Sequence, residues 1–139
     1  MTKYCQNRCI AIAFALPLLF LVVAALSQIA APDKSRGVSR IELTSIDLAT
    51  ELEGMAGRTL RQHKTTIEPG GMIAVHDHVD RPEIILVFAG RLTDHQGIEA
   101  RDYEAGQSYA VGRKTTHWLE NRGSEPAVFV ATSLVKAQK

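Results

Sequence analysis

An all-β sandwich or barrel is the fold class that the 139-residue sequence predicts. Three observations carry that expectation. β-prone segments recur at short spacing, at 72–78, 83–89, 91–95, 98–103, 107–111, 116–120 and 127–135. Turn residues punctuate them at Gly90, His95-Gln96-Gly97, Ala105-Gly106, Gly112-Arg113-Lys114 and Asn121-Arg122-Gly123-Ser124. No stretch of this half has the length or period of a long helix. Many short strands in about a hundred residues bury their apolar faces by closing or doubling a sheet.

The chain begins differently. Residues 1–9 are polar and carry Lys3 and Arg8, and Ile10 to Leu26 is an apolar run of 17 residues. Ala25-Leu26-Ser27 offers small residues at the −3 and −1 positions of a cut before Gln28. This layout predicts a signal peptide over residues 1–27 and an exported, periplasmic or secreted product. An uncleaved membrane anchor is the alternative, because the apolar stretch reaches 22 residues when it is carried on to Ala31. In either case the basic start stays in the cytoplasm and the rest faces outside. Both cysteines, Cys5 and Cys9, precede the apolar run. The exported part therefore has no disulfide and no thiolate for metal or catalysis.

Residues 28–40 read as a linker, since Pro32 to Arg40 is polar and broken. One domain is expected over 41–139, long enough for a core of its own. Without residues 1–27 the chain has 14 basic against 15 acidic residues, a net charge of −1. That balance gives no support to nucleic acid as a partner, and the membrane enters only through an uncleaved leader. Ile41-Glu42-Leu43 suggests a short strand, Ser45 to Gly54 one or two helical turns, and Arg58 to Ile67 a strand closed by the turn Glu68-Pro69-Gly70-Gly71.

The chemistry concentrates in residues 70–90. His76 and His78 stand at i and i+2, so on a strand their imidazoles point to one side, with Asp77 and Val79 on the other. Glu83 follows across a short turn that holds Asp80, Arg81 and Pro82. Two imidazoles and a carboxylate suit a divalent transition metal, and such a site needs a further donor. His117, in a strand-like segment between two turns, is the candidate. Asn121 opens the next turn, where its side chain can bond the backbone.

The spacing of these residues resembles the two motifs of the cupin superfamily. Gly70, five residues, His76-Asp77-His78, four residues, Glu83, six residues and Gly90 match the first motif at every fixed position. Gly106, His117 and Asn121 match the second, with Gly112 where proline is usual and Lys114 where glycine is usual. Fifteen residues separate the motifs, as in compact single-domain (type-2) cupins. The resemblance implies a single-domain jelly-roll β-barrel behind the N-terminal apolar helix. It also implies a metal in the barrel mouth held by His76, His78, Glu83 and His117. Fe, Mn, Zn, Ni, Co and Cu all suit that donor set.

Other side chains carry less. Arg81 and Arg91 could receive an anionic substrate, although pairing with a neighbouring acid is the commoner fate of such arginines. Tyr109 could line the pocket, Trp118 should face away from the metal, and Phe88 and Phe129 are expected in the core. Tyr103 and His95 are expected at the surface, and His63 as an ordinary structural histidine. The function expected is a metal-dependent enzyme on a small molecule, of dioxygenase, isomerase or lyase type. The alternative is a metal- or ligand-binding module without turnover. A small-molecule ligand and a homodimer are the partners expected, and no catalytic residue beyond the ligands can be named.

Overall fold

The structure, a computed structural model, describes residues 30–136, and eight antiparallel strands make up the described residues. They are β1 (Arg36–Asp47), β2 (Arg58–Asp77), β3 (Glu83–Ala89), β4 (Arg91–Gln96), β5 (Glu99–Glu104), β6 (Ser108–Val111), β7 (Thr116–Glu120) and β8 (Ala127–Lys136). The expected leader over residues 1–27 and its expected cleavage site lie outside the described residues. No helix among the described residues is long and apolar enough to cross a membrane.

The strands follow the order β5-β4-β7-β2-β8-β3-β6, with β1 added on β2. The sheet curls into a nearly closed barrel whose open side lies between its end strands, β5 and β6. The 20-residue β2 makes the main corner. Its first half, Arg58–Ile67, pairs with β8, and its second half, from Met72, pairs with β7. The bend falls on Glu68-Pro69-Gly70-Gly71, where Gly70 takes φ +72°, a conformation open to glycine. The expected turn is thus a corner inside one strand. Asn121 clamps it: its Nδ2 donates to the Ile67 carbonyl at 2.9 Å and the Glu125 carbonyl at 2.8 Å. Its Oδ1 accepts the Gly123 amide at 2.9 Å.

The core lies where inward residues of the two halves meet. Ile67, Ile85, Val87, Leu92 and Ala127 are fully buried, with Val111, Leu119 and Phe129 nearly so. Each of the larger side chains contributes about 1.5–3 kcal/mol through burial.

Several expectations need correction. Residues 36–40 belong to β1 and are no linker; Ser39 and Arg40 pair with Thr66 and Thr65 of β2. Ile41-Glu42-Leu43 is the middle of that 12-residue strand. Residues 48–54 form turns, with one helix-like bond from the Leu52 amide to the Leu48 carbonyl at 3.1 Å. Phe88 is 70% exposed, because the inward parity of β3 belongs to Glu83, Ile85 and Val87. Ile84 and Leu86 share its outward side. Lys114 takes φ +77° in the turn of the second motif, so this turn keeps the left-handed backbone that glycine serves there by resemblance.

Candidate metal centre

Three of the five histidines come together inside the barrel. A one-residue irregularity between Ile73 and His76 in the β2–β7 pairing makes this possible. Ile73 pairs with Leu119 and His76 with His117, so the core isoleucine and the histidine both face inward although they are three residues apart. His78 stands just past the end of β2, tied by its amide to the Thr115 carbonyl at 3.0 Å. Asp77 and Val79 turn outward, as their parity predicts.

The outer nitrogen of each ring is engaged by an oxygen that can only accept. His76 Nδ1 donates to the Ala74 carbonyl at 2.9 Å, His78 Nδ1 to the Arg81 carbonyl at 2.8 Å, and His117 Nδ1 to Asp94 Oδ1 at 2.8 Å. Those bonds place the proton of a neutral ring on Nδ1 and leave Nε2 bare. The three bare nitrogens face one another. His78 Nε2 lies 2.9 Å and His76 Nε2 3.1 Å from His117 Nε2.

Three lone pairs at that distance repel unless something positive sits among them. Added protons are disfavoured, because burial lowers the pKa of His76 and His78, with the neighbouring imidazoles pushing the same way. A divalent metal answers the need. Two nitrogens each about 2.1 Å from one ion and at a right angle stand about 3.0 Å apart, in line with the observed separations. His76, His78 and His117 therefore fit a metal.

Glu83, expected beside them, is placed differently. It is buried, and its Oε2 accepts the Ser133 hydroxyl at 2.6 Å and lies 4.0 Å from Arg81 Nη1. Among the described residues, the group able to hold a metal comprises the three histidines without Glu83. Arg81 thus pairs with Glu83, while Asp80 is taken by Lys136. Arg91 is exposed, beside Asp102 and Glu104.

Asp94 is the residue that sequence spacing did not reveal. It sits in β4, 2% exposed, beside Leu119 of β7 in the strand pairing. Its Oδ2 accepts the Gln96 amide at 2.8 Å. An acid on a strand next to a predicted ligand strand was the available signal. We expect Asp94→Asn to weaken metal binding about 10–100-fold with the fold kept, since it removes the carboxylate that holds His117 in place through Nδ1. Competition with a chromophoric chelator measures this; unchanged affinity would separate Asp94 from the centre.

The remaining histidines lie elsewhere. His95 is buried, contrary to expectation, on the other face of β4, stacked on Trp118 with ring centroids 3.6 Å apart. Its Nε2 donates to Glu120 Oε1 at 2.7 Å, an oxygen that also receives Arg122 Nε. Trp118 thus faces away from the metal group, as expected.

His63 is 3% exposed in the barrel interior, and burial lowers its pKa to about 4. An unfolded histidine takes up its proton near pH 6.5. Between those values unfolding takes up a proton, so the stability of the metal-free chain should fall as pH drops from about 6.5 to 4. The loss at the acid end is roughly 3 kcal/mol, and His63→Gln should remove that part of the slope. Denaturant midpoints at three pH values would show it; a slope unaltered by the substitution would contradict it.

A barrel of this topology with convergent imidazoles in its interior defines a class of small β-barrels with a candidate metal site inside. The sequence matches the Cupin domain family over residues 63–133, half of the chain, and the protein belongs to that family. Solved structures agree on the fold. A predicted oxalate decarboxylase from Thermotoga maritima is similar with TM-score 0.58 and 20% identity, over 70% of this chain and 80% of that one. The Schizosaccharomyces pombe Cnp3 cupin domain matches with TM-score 0.58 and 11% identity, over 73% of this chain and 66% of that one. A recombinant oxalate oxidase in complex with glycolate matches with TM-score 0.54 and 26% identity. The match covers 77% of this chain and about half, 53%, of the oxidase. No curated protein matches the chain.

Proposed function

We propose that this cupin is an exported metal-dependent enzyme acting on a small molecule, of dioxygenase, isomerase or lyase type. The observation that carries the reading is the trio of bare Nε2 atoms, each held in place through Nδ1. A bound metal would supply Lewis acidity or a meeting place for O2 and substrate. With only three imidazoles converging, coordination positions remain for a reactant. Export rests on the leader of residues 1–27.

A binding module without turnover is the second reading, and one observation favours it. Two buried acids of the interior, Asp94 and Glu83, are already engaged by His117 and Ser133 rather than facing an open position. Incubating the metal-loaded full chain with a small-molecule extract, followed by mass spectrometry, separates the two. Consumption of a compound that His117→Ala leaves intact supports the enzyme. A compound retained unchanged on the protein supports the binding module. The outward stripe of Ile84, Leu86 and Phe88 suits the expected homodimer, and a monomer by light scattering would contradict that part.

A further inference from the structure

Ser133 interrupts an apolar series. The inward positions of β8 before it are Ala127, Phe129 and Ala131, all buried. Ser133 continues them, fully buried, with a hydroxyl where a methyl group would suit the core. A buried hydroxyl needs a partner, and here the partner is Glu83. The two residues stand opposite each other in the β3–β8 pairing, and Ser133 Oγ donates to Glu83 Oε2 at 2.6 Å. That is the short separation of a hydroxyl bonded to a carboxylate.

Glu83 is held from a second side as well. Arg81 Nη1 lies 4.0 Å from the same oxygen, and the Arg81 carbonyl accepts His78 Nδ1. On the other edge of β3, Glu83 pairs with Val111 of β6, whose side chain has nothing to donate. A carboxylate that ligated a metal would meet the three Nε2 atoms instead. Among the described residues, the convergent group holds His76, His78 and His117 without Glu83. Glu83 is still a neighbour of that group, since its charge acts on His78.

We infer that Ser133 is a positioning residue that holds Glu83 off the metal, so that the centre keeps three imidazole ligands and no carboxylate. This deepens the proposed function and rests on its metal reading. Three neutral ligands leave a divalent ion its full charge and an additional open position, which polarising a bound reactant requires. Loss of the Ser133 hydroxyl leaves Glu83 a buried carboxylate short of a donor, and a neighbouring cation then becomes its best partner.

Cobalt(II), loaded into the untagged full chain, reports its ligands through its visible absorption bands. Glu83→Gln should leave the bands of the wild type in place, because the amide keeps the shape and still accepts the Ser133 hydroxyl. Ser133→Ala should move the bands and bind cobalt about tenfold tighter, through the added charged ligand. The double variant Ser133→Ala/Glu83→Gln should return to the wild-type bands, and Ser133→Thr, which keeps the hydroxyl, should not depart from them. A merely structural serine would lower the unfolding temperature without that reversal.

Bands moved by Glu83→Gln alone overturn the inference, since Glu83 is then already a ligand. Bands or affinity unmoved by Ser133→Ala overturn it too. Where Ser133→Ala fails to fold, Glu83→Gln decides: unmoved bands keep the carboxylate off the metal, and moved bands put it on. Cobalt bound by none of the proteins removes the metal reading itself. Cobalt bound by all of them, with bands that follow Glu83 in the wild type, removes the role of Ser133 and keeps the metal.

Discussion

His78→Ala should lose bound metal and thermal stability together. His78 is fully buried, and its Nε2 is one of three converging donors. Removing it leaves two imidazoles, and affinity should fall at least a hundredfold, since each ligand is itself held by a bond through Nδ1. Metal that binds the folded chain and not the unfolded one stabilises it by about 4 kcal/mol at a thousandfold excess over Kd. The variant forfeits that term, so added metal should raise the unfolding temperature of the wild type and not of the variant. In the metal-free state the two should differ less, because the variant also removes a lone pair that faces His117 at 2.9 Å. Unchanged stability with full metal would reject the site.

Gly90→Ala should be the most damaging single methyl group in the fold. Gly90 joins β3 to β4 with φ +70°, a conformation that strains an L-residue by about 1–2 kcal/mol. The added Cβ would also overlap the Pro126 carbonyl oxygen and lie 3.0 Å from Ala127 Cα. Both atoms are backbone, at the start of the core strand β8, and cannot swing aside as a side chain would. A destabilisation of about 3 kcal/mol or more follows, lowering the unfolding temperature by roughly 10–20 °C. Thermal unfolding measures this, and a shift of a degree or two would show that the turn relaxes at little cost.

The sequence carried the strands of the second half well, because inward and outward residues alternate there and turn residues mark the ends. It carried the histidine trio through parity and spacing. Three features were hidden for physical reasons. β1 is exposed along nearly all its length, so Arg36–Arg40 shows no apolar pattern to betray a strand. Glu68-Pro69-Gly70-Gly71 has the residues of a turn, yet the chain only bends there and keeps pairing, first with β8 and then with β7. Asp94 meets His117 across two strands distant in sequence, and no local spacing encodes such a pair.

Phe88 shows a legible signal passed over. A continuous apolar run hides which side is inward, but the inward Glu83 sets the parity. Counting from it sends Ile85 and Val87 to the core and Phe88 to solvent. Glu83 itself shows the limit of motif spacing. The spacing puts it near the histidines, while its carboxylate turns to Ser133 and Arg81.

Elemental analysis of the untagged full chain, beside a His76→Ala/His117→Ala double variant, tests the central claim most directly. Near-stoichiometric transition metal in the wild type, lost in the double variant, is the result predicted, and its identity would narrow the chemistry, with Fe pointing to O2 reactions. No metal after reconstitution, or equal metal in both proteins, would contradict the three-histidine centre.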